Sequence, residues 1–296
     1  MKKKRPSNII DKGEIFTNAQ AYPAESVLSD VSELVLKVQR GLIVPALIFA
    51  HHKIGNTITF FGASRIKSPA KAKEELEEVM KNKRRKDYRA RLSAAKHAVE
   101  MSQYYQQSED LAFKLQMWIN DSGIPETDKP YIMTGGGPGI MEAAAKGAYM
   151  AGGVPVGATI PISSEEQRNI YVDRGVWYQF NYFFMRKFWL MAMARAVIVC
   201  PGGFGTLDEF FEILTLVKTG KEDRIPLVLF DRKFWDPIIN FDELIKNDVI
   251  TKEDMQLIHF SDTIDDAFEF VTESLIKRYK LKRHSSRKSA KKKERD

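Results

Sequence analysis

The sequence is poor in the residues that staple small folds or hold metals. One cysteine, Cys200, in 296 residues excludes an internal disulfide framework and a Cys-rich zinc site. Five histidines, at 51, 52, 97, 259 and 284, show no ligand spacing, so no metal is expected. Long hydrophobic runs are also missing. The longest, Gly41 to Ala50, holds about ten residues and contains Pro45, too short to cross a bilayer. No signal-peptide pattern opens the chain, and no internal repeat is present. These absences give the expectation of a cytoplasmic protein with no membrane partner and no cofactor.

What is there is ordinary in bulk and uneven in distribution. Hydrophobic residues make up 44% and charged residues 29%, as in a soluble globular domain. The net charge of +7 is concentrated at one end. Residues 277–296 carry eleven Lys or Arg and two acids, +9, which leaves −2 for the rest of the chain. A basic tail without aromatic interleaving has no base-reading chemistry, so it reads as a solvated, disordered end and nucleic acid is not the expected partner. A second charged run, Pro69 to Lys96, includes Lys83-Arg84-Arg85-Lys86. It reads as a solvated helix or helical hairpin inserted in the core fold; the rival reading is a nucleic-acid contact through these four cations and the tail, which predicts steep salt dependence.

The apolar pattern changes along the chain. Residues 1 to about 25 are polar. From Ser26 to Arg40, Val27, Val31, Leu34, Val35 and Val38 recur at helical spacing, with Ser26 or Ser29 as possible caps. Beyond that, short apolar runs lead into glycine turns and then helical stretches: Thr57–Phe61, Tyr131–Met133 and Ala196–Cys200. Val154–Ile160, Pro226–Phe230 and Gln256–Phe260 are further strand candidates, and Tyr104 to Asn120 reads as a core-facing helix. Strands alternating with helices predict an α/β fold: a Rossmann-like parallel sheet with helices on both faces. The predicted divisions are an N-terminal arm and helix over 1–56, a nucleotide-binding domain over 57–276 with a helical insertion at about 67–100, and the tail from 277. In such folds ligands bind at the carboxyl ends of the strands, where the glycine turns fall.

The turn Pro201-Gly202-Gly203-Phe204-Gly205-Thr206 follows a strand and opens a helix. Small residues there let backbone N–H groups approach an anion, and the helix terminus adds partial positive charge. No lysine follows the last glycine, as a P-loop requires, and the first strand ends in Gly62-Ala63-Ser64-Arg65 rather than G-x-G-x-x-G. A mononucleotide phosphate is the natural guest. Glu209 stands three residues after Thr206, the spacing of a capping box. It reads either as a helix cap or as a carboxylate at the mouth of the phosphate turn. Gly135-Gly136-Gly137-Pro138-Gly139, leading to Glu142, is a second strand-to-helix glycine turn, and Tyr182-Phe183-Phe184-Met185-Arg186-Lys187 precedes the phosphate-turn strand. Arg186 is either one of a surface pair with Lys187 or a guanidinium that binds ligand oxygens and orients Glu209.

Together, Gly135–Glu142, Tyr182–Lys187 and Pro201–Glu209 resemble the three ordered signatures of the Lonely Guy (LOG) family, and the likeness covers roughly 57–276. The resemblance implies a Rossmann-like fold, a homodimer or higher homo-oligomer, and hydrolysis of the base–ribose bond of a purine nucleoside 5′-monophosphate, AMP or a cytokinin nucleotide. It places the catalytic arginine on Arg186 and the catalytic glutamate on Glu209. Substrate binding falls on Ser64, Arg65, Gly136, Gly137, Glu142, Lys187, Gly202, Gly203, Gly205 and Thr206. Some members have histidine where this chain has Phe184, so no histidine role is expected there. Some bacterial relatives carry a lysine-decarboxylase label, but nothing in the sequence identifies a lysine for pyridoxal phosphate. The rival reading is a non-catalytic nucleotide-binding or carrier protein, which needs the glycine turns but not Glu209 and Arg186 together.

Overall fold

The computed structural model describes residues 31–161 and 169–281. Seven parallel strands form one sheet in the order β4-β3-β2-β1-β5-β6-β7. They are β1 (Asn56–Phe61), β2 (Pro130–Thr134), β3 (Val156–Thr159), β4 (Trp177–Gln179), β5 (Ala194–Val199), β6 (Leu227–Phe230) and β7 (His259–Ser261). The chain builds outward from β1 to β4, then returns to pair β5 with β1 and builds the other way. The direction of winding therefore reverses between β1 and β5, where an open parallel sheet leaves a crevice.

Both faces of the sheet are covered, which is why its strands read as nearly unbroken apolar runs. Ile58, Phe60, Ala196, Ile198, Val228 and Phe230 point into one core; Phe61, Val197, Val199, Leu227 and Leu229 point into the other. Helices α3 (Tyr88–Asp121), α4 (Ile140–Met150) and α9 (Ile264–Tyr279) cover the first face. Helices α1 (Val31–His51), α5 (Phe183–Ala192) and α6 (Phe204–Lys218) cover the second. Two threonines in the central strand are also buried, and Thr59 Oγ1 donates to the Leu190 carbonyl of α5 at 3.1 Å.

Several expectations change at their edges. Helix α1 does not stop at Arg40 but runs through the whole Gly41–Ala50 stretch. As a result, Glu33–His51 is a 19-residue helix that is long and apolar enough to cross a membrane by length and composition, where the ten-residue run alone was not. Its inner side packs on the domain: Phe49 meets Trp189 edge-on and the Tyr178 hydroxyl reaches the Arg40 carbonyl. The proposed caps Ser26 and Ser29 lie outside the described residues. Strand β4 escaped the sequence pattern because three residues are too few to show a period. Gln256 and Leu257, read as the start of a strand, close a 3-10 turn over Asp254–Leu257 instead, and β7 begins at His259. Helix α9 runs on through Tyr279, into the stretch read as tail; residues 282–296 lie outside the described part.

The insertion is a helical pair, but its second half is not separate from the crossover helix. Helix α2 (Pro69–Lys81) starts at the N-cap Ser68, whose side chain accepts from the Lys71 amide. Helix α3 then runs unbroken for 34 residues. The small helices α7 (Arg232–Trp235) and α8 (Phe241–Lys246) fill the connection between β6 and β7.

Candidate functional site

At the reversal between β1 and β5, the glycine turns after β1, β2 and β5 close around a cavity of about 770 Å³. That is within the range of small-ligand sites. Its floor comes from Gly62–Arg65 and Gly135–Gly137, one wall from Thr159, Ile160, Pro161, Trp177 and Gln179, and the other from Gly203–Thr206 and Glu209. Phe183 and Arg186 of α5 complete it.

Helix α6 begins at Phe204 with Gly203 as its N-cap, and no side chain caps it. Thr206 and Glu209 therefore lie inside the first turns rather than at the boundary, and the capping-box reading of Glu209 fails because the helix starts earlier than the box requires. The start of α6 brings Gly203, Gly205 and Thr206 to the cavity, and a helix N-terminus leaves its first N–H groups without helical acceptors. Gly202 sits behind them and does not line the cavity. A Cβ there would stand 2.2 Å from Thr206 Oγ1, so the residue must be glycine for Thr206 to pack against it.

Glu209 and Arg186 are both buried, at 7% and 9% exposure. Arg186 Nη2 stands 3.6 Å from Glu209 Oε1, an ion pair rather than a direct hydrogen bond. The guanidinium is anchored on its other side, where Nε donates to the Ala158 carbonyl at the end of β3 at 2.9 Å. It passes beneath the turn after β2 so closely that a Cβ on Gly135 would meet Nη2 at 2.2 Å. Burial pushes the Glu209 carboxyl up to about 7; the Arg186 charge opposes that rise and the neighbouring Asp208 adds to it. A carboxylate whose burial favours its protonated form is thus held beside a fixed cation, in a cavity that ends at a helix N-terminus.

Of the residues read from sequence as binding substrate, Ser64, Arg65, Gly136, Gly137, Gly203, Gly205 and Thr206 line this cavity with Arg186 and Glu209. Two others point elsewhere. Glu142 accepts a hydrogen bond from the Tyr105 hydroxyl of α3 at 2.7 Å and is not part of the lining. Lys187, the next residue along α5, is turned about 100° from Arg186 around the helix axis. There it pairs with Asp208 at 2.9 Å and Glu212 at 2.6 Å, which leaves no lysine in the lining. Sequence reasoning missed Trp177, Gln179, Thr159, Ile160 and Pro161. The last three had a usable signal, since they end a predicted strand at the edge where ligands bind; Trp177 and Gln179 had none.

Residues 141–271 match the protein family described as "Possible lysine decarboxylase", the family in which LOG proteins fall. The cytokinin riboside 5′-monophosphate phosphoribohydrolase of Rhodococcoides fascians is 30% identical over 109 residues, 36% of this chain and 53% of the relative. The chain thus spans about half the length of the curated relative it matches. Among solved structures, a molybdenum cofactor binding protein from Rippkaea orientalis aligns at 21% identity and TM-score 0.40, over 57% of this chain and 88% of its own. The molybdenum cofactor carrier protein of Chlamydomonas reinhardtii aligns at 17% and TM-score 0.39, over 74% and 98%. Scores this low do not bear on what this chain binds.

Proposed function

We propose that this is a LOG-type enzyme, a reading supported by the match over residues 141–271, and that the cavity hydrolyses the N-glycosidic bond of a purine nucleoside 5′-monophosphate, AMP or a cytokinin nucleotide, to free base and ribose 5-phosphate. The observation that carries this reading is the buried Glu209–Arg186 pair at 3.6 Å beside the N-terminus of α6. A carrier needs the phosphate turn; it has no use for a buried carboxylate held beside a cation.

In the mechanism we infer, the 5′-phosphate sits on the amides of the first turn of α6, and that contact supplies binding energy remote from the broken bond. The ribose then lies over Glu209, and the base extends along the Trp177 and Gln179 wall. As the C1′–N bond breaks, positive charge grows on the ribose. Ionised Glu209 stabilises that charge and orients the attacking water, while Arg186 holds the carboxylate and the ligand oxygens in place. Water adds across the bond, hydroxyl to C1′ and a proton to the base.

The test is incubation with AMP and with isopentenyladenosine monophosphate, following base and ribose 5-phosphate by chromatography. Release of base from either supports the hydrolase, and the ratio of the two rates gives the substrate preference. Saturable AMP binding without release would establish the carrier instead.

A further inference from the structure

The charged helical pair stands clear of the domain, and its position follows from lengths. Helix α3 has 34 residues, about 51 Å at 1.5 Å per residue, far longer than the six-residue β1 it crosses. The Tyr104 hydroxyl bonds Asp231 just past the end of β6, at 2.5 Å, and Tyr105 reaches Glu142 in the first turn of α4. Tyr104 and Tyr105 are therefore level with the carboxyl edge of the sheet, and residues 88–103 extend beyond it. Helix α2 rises alongside from Ser68, just after the β1 turn, and buries Ala72 and Val79, neither of which belongs to the two sheet cores. The result is an antiparallel arm that leaves the edge at which the cavity opens and ends in a tip roughly 20 Å out.

That tip is strongly basic. Residues 81–91 contain Lys81, Lys83, Arg84, Arg85, Lys86, Arg89 and Arg91 against one acid, Asp87, and all seven cations are exposed. Arg85 is paired with Asp87. Cations crowded on a slender exposed turn repel one another and bring no packing in return, so the cost is offset by an anion that neutralises several at once. The tip has no exposed apolar residue between Lys81 and Asp87, and Met80 beside it is too little to enter a bilayer. Because α2 behind the tip carries Glu74, Glu75, Glu77 and Glu78, a flexible chain of phosphates meets the turn and the start of α3 rather than α2. We propose that the tip of the α2–α3 arm is a docking site for single-stranded RNA, bound through its phosphates and without sequence preference.

The probe is a short, unstructured, fluorescein-labelled RNA of mixed sequence, titrated with the full chain and read by anisotropy at several salt concentrations. Lys83→Ala/Arg84→Ala/Lys86→Ala should weaken binding at least tenfold and lower the salt slope by about 2, at roughly 0.7 per contact on a single strand. Its circular dichroism and its affinity for AMP should match the parent's, since all three residues are exposed and remote from the cavity. Lys291→Ala/Lys292→Ala/Lys293→Ala, in the basic tail, should weaken binding less. The proposal is overturned if the arm variant binds RNA as the parent does, or if the tail variant accounts for the whole loss. It is equally overturned if polyglutamate or phosphatidylserine vesicles bind the arm as tightly as RNA does. None of these readouts needs turnover, so the result is independent of whether the cavity is a hydrolase.

Discussion

At the scale of single residues, the site turns on a carboxylate that burial holds close to protonation. The proposed reaction needs Glu209 ionised, so kcat/KM should rise about tenfold per pH unit below about 7 and level off above it. A pH–rate profile on either nucleotide checks this. Glu209→Gln should bind AMP but release no base; a folded Gln variant with full activity refutes the assignment. Stability has the opposite sign. Because the folded-state pKa is raised, Glu209 contributes most below its unfolded value of roughly 4.3 and loses that contribution as pH climbs toward about 7. Relative to Glu209→Gln, the parent should lose of order 3 kcal/mol across that window, measurable by urea denaturation at each pH. Gly135 offers an independent test of Arg186. A methyl group there occupies the place of Nη2, so Gly135→Ala should displace the guanidinium and lower kcat severalfold or more, with the fold retained.

At the scale of elements, helix α1 accommodates a proline through a contact made by its neighbour. Pro45 has no N–H, so the carbonyl four residues earlier, at Gly41, loses its helical donor. Trp189 of α5 supplies one, its Nε1 donating to the Gly41 carbonyl at 2.9 Å. Trp189→Phe keeps an aromatic ring but removes that donor, and should cost about 1 kcal/mol. In a Pro45→Ala background, where the backbone N–H is restored, the same change should cost measurably less. A double-mutant cycle by thermal denaturation gives the difference.

At the scale of the whole molecule, the helices on one side of the sheet leave large apolar side chains in water. Phe184 and Phe188 of α5, Phe211 of α6, and Leu36, Ile43 and Leu47 of α1 are all exposed. Monomeric proteins seldom leave that much large apolar surface in water. We propose that a second copy of the chain covers α5 and α6. Light scattering of the parent should give the mass of a dimer, and Phe188→Asp should shift it toward the monomer.

How much of this was legible in the sequence depends on the range of the interaction. Alternating apolar runs and glycine turns marked most of the parallel sheet, since burial on both faces and backbone geometry leave a local record. The order of the three motifs left one too, and with it the gathering of Arg186, Glu209 and the glycine turn after β5 around one cavity. Local spacing failed wherever the answer lay in the register of distant segments. Thr206 and Glu209 fit a capping box as well as a site, until the helix was seen to start at Phe204. Arg186 and Lys187 are adjacent, yet the helix sends one into the cavity and the other to Asp208 and Glu212. Glu142 carries a motif position but turns to Tyr105, 37 residues away. What the sequence by itself determined is the α/β class and the chemistry available at its glycine turns, because periodicity and turn residues act over a few neighbours. Only the tertiary structure decided which side chains share the cavity, that Trp177 and Gln179 wall it, and that the basic tip stands out from its edge. Those outcomes depend on crossovers that bring together residues far apart in the chain.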